Sequence, residues 1–177
     1  ALDVSAAHQS LDRTFMKAEV ARECPELSRP LSVWYAPGDS STHWWRTGDG
    51  RVLDIDVEQG VDQGCPLASP AYGVSTARVA SESLADIRRI DQEASLMQYA
   101  DDTQLHLEPG ALSRAYGIVA AKWAQAGLKL NAAKTKVWTP DPATPLPQEW
   151  ADRRVHRLRC LGADMVDDRV SWTAPEL

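Results

Sequence analysis

The chain alternates between two kinds of hydrophobic spacing. Ala1 to Ser5 is short and apolar and reads as the end of a strand. Ala7, Leu11, Phe15 and Ala18 then recur three or four apart, which predicts a helix from Ala7 to Cys24. Pro25 interrupts it, and PELSRPLSVWYAP reads as a shorter helix closed by Pro37-Gly38. In THWWRTGDGRVLDIDVEQG the Asp49-Gly50 pair marks a hairpin, because a type I′ turn needs positive φ at both central positions. Beyond it Val52, Leu53, Ile55 and Val57 run among the acids Asp54, Asp56 and Glu58, so one face is expected to be wet.

Pro66 suits a first helical turn, and Val74, Ala77, Leu84 and Ile87 predict a buried stripe reaching about Ile90. Leu96 to Tyr99 and Thr103 to Leu107 are strand-like, with Ala100, Asp101 and Asp102 at the tip between them. Leu112, Tyr116, Val119, Trp123 and Ala126 predict a helix over 111–126, stopped by Gly127. KLN and TKVW read as strands, DPATPLPQ as a Pro-rich loop, and a last strand pair is expected around Arg157 to Met165 and Arg169 to Trp172. No internal repeat is visible. Helices set between antiparallel hairpins indicate an α+β fold over a doubly wound parallel sheet.

Composition narrows the class. At 177 residues, 44% hydrophobic and 25% charged, the chain resembles an ordinary globular domain and not a disordered one. No apolar run is long enough to span a bilayer, so no membrane partner is expected. The first residues do not resemble a signal peptide, and ALDVS begins without Met inside a strand, as in a piece of a longer polypeptide or of a decayed gene. Cys24, Cys65 and Cys160 are odd in number and far apart, which disfavours a disulfide framework or a zinc site. Charge is uneven. Residues 1–113 carry 9 basic and 18 acidic side chains, a net −9, whereas 114–160 carry 9 and 3, a net +6, and 161–177 carry 1 and 4, a net −3. A basic segment of this kind is either a solvated face or a nucleic-acid footprint.

The adjacent Asp101 and Asp102 raise the chemical question. Taken alone, such a pair is more often a solvated turn. Joined by Asp3 from the first strand, it would form a set of hard oxygen donors for magnesium. Two such ions stabilise the attacking and leaving oxygens of an in-line phosphoryl transfer.

Tyr99-Ala100-Asp101-Asp102 resembles the signature of reverse transcriptases, and four further blocks agree with it in order. LDVSAAHQSLDR (Leu2 to Arg13) looks like the family's first palm motif. EQGVDQGCPLASP (Glu58 to Pro70) resembles the second, GLKLNAAKTKVW (Gly127 to Trp138) the fourth, and LRCLGADM (Leu158 to Met165) the primer-gripping hairpin. The phrasing is most similar to enzymes of non-LTR retrotransposons, with group II intron and other bacterial reverse transcriptases as neighbours.

The resemblance implies an α+β polymerase palm across 1–177, with a ferredoxin-like antiparallel sheet backed by helices. It places part of the fingers as an insertion over 25–60 and a primer-grip-like hairpin over 155–177, and no thumb helix bundle follows. It implies that Asp3 and Asp101 hold two magnesium ions, with Asp102 as an accessory ligand and manganese as an alternative metal. The backbone at Val4 would pass beneath the triphosphate, and Gln63 and Gly64 would lie beside the incoming nucleotide and template base, the glycine for close backbone approach. Lys134 would meet the leaving pyrophosphate, and Leu161 and Gly162 would shape the primer grip. Tyr99 is left open between hairpin packing and a primer contact. His8 occupies the aromatic position that screens the ribose 2′-hydroxyl, so sugar discrimination is in question. Asp62 is a further departure, setting a charge beside Gln63. The implied partners are an RNA template, a DNA primer, deoxynucleoside triphosphates and the remaining fingers and thumb of a longer polypeptide, in the nucleus or cytoplasm. The alternative is a catalytically inactive, reverse-transcriptase-like relic or nucleic-acid-binding fragment; by itself the chain is expected to lack measurable polymerase activity.

Overall fold

A computed structural model of the chain describes residues 1–35, 41–62, 64–100, 102–160, 163–166 and 169–172, without the side chains of 41, 159, 160, 163 and 169–172. Its elements run β1 (Val4–Ser5), α1 (Ala7–Ser10), α2 (Arg13–Glu23), α3 (Pro25–Trp34), β2 (Ser41–Arg46), β3 (Val52–Val57), α4 (Ala68–Ile87), β4 (Ser95–Tyr99), β5 (Asp102–His106), α5 (Leu112–Trp123), β6 (Lys129–Leu130), β7 (Arg157–Cys160), β8 (Ala163–Val166) and β9 (Arg169–Trp172). Short 3₁₀ turns cover Pro109–Ala111, Ala124–Ala126 and Gln148–Arg153. The fold is mixed α+β, with small antiparallel sheets packed beside helices. Among the described residues no helix is long and apolar enough to cross a membrane.

The helix expected over Ala7 to Cys24 is two helices. Leu11 is extended, and Asp12 caps α2 by accepting the Phe15 N–H at 2.7 Å. The break resets the helical phase. Arg13, Met16, Glu19 and Val20 therefore face inward, while Phe15 is half-buried and Ala18 exposed. Other segments hold the break open. His8 O accepts from Val61 N–H at 2.7 Å, Leu11 O from Gly60 N–H at 2.8 Å, and Asp12 N–H donates to Ala126 O at 2.9 Å. Gly60 and Gly127 both lie in the left-handed region, at φ +78° and +77°. A Cβ on Gly60 would stand 2.4 Å from Gln9 O, and one on Gly127 2.7 Å from Ser10 O. Both glycines are there because the backbones touch.

Arg13 is 2% exposed and sits beside this junction. Its guanidinium donates to Gly60 O at 2.8 Å and Val57 O at 2.6 Å, and lies 4.8 Å from the Tyr35 ring centroid. The Tyr35 hydroxyl in turn accepts from Asp62 N–H. One buried cation thus joins α2, α3 and the base of the β2–β3 hairpin.

That hairpin is antiparallel, with Arg46 paired to Val52 and residues 47–51 as the connection. Gly50 has positive φ but Asp49 does not, so the expected type I′ turn is not formed, and among the described residues neither face is covered. Trp44 is 77% and Trp45 63% exposed, and Val52, Leu53 and Ile55 are exposed as well. The one-sided wetting expected from its alternation does not hold, since no helix packs over the apolar side. In α4 the buried stripe differs from that expected. Val74 and Leu84 are only half-buried and Ala77 is exposed, while Ala71, Tyr72, Ser75, Thr76, Val79, Ala80, Ser83 and Ile87 form the packed face. Ser75, Thr76 and Ser83 turn their hydroxyls back onto the carbonyls of Ala71, Tyr72 and Val79, at 2.5, 2.9 and 2.6 Å. With their polar atoms satisfied, these small residues let α4 pack against α2 and α5. In α5 the buried Ala115, Val119 and Trp123 follow the expected spacing, and Gly127 ends the following turn.

TKVW is not a strand. Only Val137 pairs, in a parallel bridge to Arg154. The C-terminal strands form a three-stranded antiparallel meander, β7–β8–β9, where buried Asp164 takes Arg157 at 2.6 and 3.1 Å.

Buried Glu19 is paired with Arg22 at 2.6 Å and Arg78 at 3.0 Å, and half-buried Lys122 bridges Glu82 and Asp86 on α4. Burial pushes the Glu19 carboxyl up, but the bonds from Arg22 and Arg78 outweigh it and the net displacement is downward. A lowered carboxyl stabilises the fold above its unfolded value, about 4.3, and that contribution is lost as pH falls through the folded value. Glu19→Gln should therefore cost about 1–2 kcal/mol at pH 7 and flatten the acid limb of the stability curve, read by urea titration across pH. Gly60→Ala should cost at least about 3 kcal/mol, from left-handed strain plus backbone overlap. Gly48→Ala, with nothing within 4 Å of its Cβ, should stay within about 0.5 kcal/mol in the same titration.

Candidate functional site

Four short strand segments meet around Asp3. β1 pairs with β6 through Val4↔Leu130 and Ser5↔Lys129, and β4 pairs with β5 through five residue pairs. A single antiparallel bridge, Leu2↔Thr103, joins the two ladders, with Leu2 N–H on Thr103 O at 2.8 Å. The Asp3 carbonyl points the other way, accepting from Asn131 N–H at 2.8 Å. β1 is therefore flanked by β5 on one side and β6 on the other, giving the spatial order β6–β1–β5–β4.

Alternation along these strands separates two chemistries. Leu2, Val4, Leu96 and Leu105 pack with the helices, and Thr103 beside Leu2 is 1% exposed. Carried one residue on, the antiparallel register sets Asp3 opposite Asp102, with both side chains on the face away from Leu2 and Thr103. Tyr99 pairs with Asp102 on that face and is 69% exposed. This exposure is not that of a packing residue. The row across the sheet reads Tyr99, Asp102, Asp3, Asn131. Among the described residues no group of three potential metal-binding His, Cys, Asp or Glu side chains converges. Asp101 lies outside the described residues, as do Gln63, Leu161 and Gly162.

The hairpin carrying Asp102 is tighter than expected from the sequence. Asp102 already belongs to β5, paired with Tyr99, so the turn is two residues long. Ala100 adopts φ +53°, a left-handed conformation that Cβ disfavours. Ala6, just after β1, sits at φ +46°. These are the positive-φ residues other than glycine among those described, and both lie at the end of the sheet that carries the acids.

Asn131 organises the next segment. Its side-chain oxygen accepts from Ala133 N–H at 3.0 Å and Lys134 N–H at 3.3 Å, an Asx turn that raises Lys134 beside β1. Thr135 Oγ1 donates to Asn131 O at 2.9 Å and accepts weakly from Asp3 N–H at 3.4 Å. Asp3 and Lys134 consequently line one open groove of about 510 Å³, together with Lys136, Asp152, Arg153 and Arg154.

The remaining candidates occupy separate places. Val4 is half-buried and turned toward the core. The His8 ring stacks on Tyr72 of α4, centroids 4.7 Å apart and planes 19° from parallel. Gly64 is left-handed at φ +90°, and no protein atom lies within 4 Å of where its Cβ would be. The close approach expected at Gly64 is that of a nucleotide; between backbones of the protein itself, such an approach occurs at Gly60. Arg13, Gly60, Asn131 and Arg153 were not singled out from the sequence. The first three lie inside the quoted motif blocks, and Asn131 carried a readable Asx-turn signal; Arg153 carried none.

No family model matches the chain, and a search of curated proteins gives no significant match.

Ala100→Gly should relieve the strained turn beside Asp102 and raise stability by up to about 1 kcal/mol in thermal or urea melts. A loss of stability there would mean that the turn is not left-handed.

Proposed function

We propose that the chain is the palm of an RNA-directed DNA polymerase of the reverse-transcriptase type, which adds deoxynucleotides to a DNA primer on an RNA template. The observation that carries this reading is the acid row: Asp3 of the first motif block faces Asp102 of the YADD block across adjacent strands. Two further observations support it, the first resting on the same Leu2–Thr103 bridge and the second independent of it. The order β6–β1–β5–β4, with helices in both crossovers, is that of a ferredoxin-like split β-α-β sheet. The blocks read from sequence as the first and second motifs also interlock, through His8 O with Val61 N–H and Leu11 O with Gly60 N–H. The β2–β3 hairpin would be the fingers portion and β7–β8 the primer grip.

The donors fit magnesium. Asp3 and Asp102 offer hard carboxylate oxygens on one sheet face, and Asp101 adjoins Asp102 in sequence. When bound, two ions would stabilise the attacking 3′-oxygen and the leaving oxygen of the displacement. The chain's own residues supply the rest. The backbone at Val4 and Ser5, which turns at left-handed Ala6, would pass beneath the triphosphate. Lys134 offsets charge on the departing diphosphate from the groove that Asp3 also lines. The open space at Gly64 lets a nucleotide approach the backbone.

The second reading, an inactive relic, draws on His8. Its ring is engaged with Tyr72 and is smaller and more polar than the usual screen against a ribose 2′-hydroxyl.

Manganese binding followed by electron paramagnetic resonance tests the site. Affinity should fall at least roughly tenfold in Asp3→Asn and Asp101→Asn, and less in Asp102→Asn. Asp54→Asn, on the hairpin, should leave it unchanged. Equal affinity in all four variants would remove the reading. Primer extension on an RNA template with magnesium is the further test: product that disappears in Asp101→Asn would assign the polymerase, whereas the chain by itself is expected to give no product under either reading.

A further inference from the structure

The groove beside Asp3 contains cations of two kinds. Arg154 is fully engaged: its guanidinium donates to Thr139 Oγ1 at 2.6 Å, to Pro142 O at 2.9 Å and to Thr144 O. It fastens the Pro-rich loop. Arg153, one residue earlier, donates from Nη1 to Ala133 O at 2.5 Å, and no other protein partner of its side chain is seen among the described residues. Its backbone is fixed as well, because Arg153 O accepts from Val137 N–H at 2.9 Å. Ala133 immediately precedes Lys134, so the bond holds the Arg153 guanidinium against the turn that carries the Lys134 ammonium. Neither cation has an ion-pair partner within 4 Å among the described residues, although Asp3 and Asp152 line the same groove. Both cations line the one open groove, and an anion placed there would be attracted to each of them.

We infer that Arg153 is a second phosphate-binding residue, which together with Lys134 takes the diphosphate end of a nucleoside triphosphate in the groove beside Asp3. The inference rests on the polymerase reading for the identity of the ligand, but not for the cation pair itself. A guanidinium committed through one N–H keeps others to offer, in the planar fork that suits phosphate oxygens. The groove is open enough for a diphosphate, at about 510 Å³.

The test uses inorganic pyrophosphate without metal, with binding to the 177-residue chain followed by calorimetry or NMR at low salt. Arg153→Ala and Lys134→Ala should each weaken binding by roughly fivefold or more, and Arg153→Lys by less. Arg89→Ala, an exposed cation on the far end of α4, should leave it unchanged. The Lys134 side chain holds no structural bond, so Lys134→Ala keeps the test valid if Arg153→Ala loosens the 132–134 turn. Asp3→Asn should leave metal-free pyrophosphate binding intact or strengthen it while lowering manganese affinity. Manganese affinity unchanged in Asp3→Asn, with the Arg153 effect present, would overturn the polymerase reading and leave the anion groove. Wild-type pyrophosphate affinity in both cation variants would overturn the groove and leave the polymerase reading. A single-stranded oligonucleotide that displaces pyrophosphate stoichiometrically and depends equally on Arg153 would reassign the groove to nucleic-acid backbone, and the diphosphate proposal would fall.

Discussion

The fold turns on the six residues from His8 to Arg13. Part of their backbone is bonded within α1 and α2, but the carbonyls of His8 and Leu11 and the N–H of Asp12 are satisfied by Val61, Gly60 and Ala126, about 50 and 115 residues further along the chain. A buried polar group left without a partner costs about 1–3 kcal/mol, so the break between α1 and α2 survives only while those segments stay in place. Two glycines allow the contact, and Arg13 draws the Val57 and Gly60 carbonyls onto α2. This junction sets where β1 can lie, and with it Asp3. It links the first, second and fourth motif blocks mechanically before any substrate is considered.

The acid row inherits its geometry from that junction. β1 is only two residues long, too short to define its own place; it is held by its ladder to β6 and the Asn131 N–H bond on one side and by the Leu2–Thr103 bridge on the other. Leu2 anchors it to the core while Asp3 is left on the outer face. A one-residue slip would exchange the two, burying a carboxylate and exposing a leucine, so the hydrophobic core enforces the register that sets Asp3 against Asp102.

Much of this was legible. The hairpin around Asp49-Gly50, though not its turn type, the hairpin at Ala100-Asp102, the α5 stripe and the Gly127 stop follow from period and turn chemistry alone. What failed did so for identifiable reasons. The α4 face is built from serine, threonine and alanine, which a hydrophobicity pattern scores as polar or neutral; only the return of each hydroxyl to the preceding turn makes them core residues. The break at Leu11 and Asp12 is invisible locally because its cause is long-range. The alternation in β3 overstated burial, since periodicity reports which side could be covered and not whether a cover exists. Of the site, Asp3, Asp102 and Lys134 were found from motif context. Arg153 was not, because its role depends on a bond to a carbonyl twenty residues away.

The uncovered hairpin can also be seen as machinery. It joins the body at its base, through Arg13 on Val57 O and the 3.3 Å contact of His43 with Asp62. Six-residue strands make an arm about 20 Å long, so a rotation of about 10° at the base would carry the tip about 3 Å. The bearing of that arm is Arg13, whose own helix begins where the His8–Asp12 segment ends. A load on Trp44 or Trp45 at the free end would therefore act through a fulcrum beside the strand that carries Asp3.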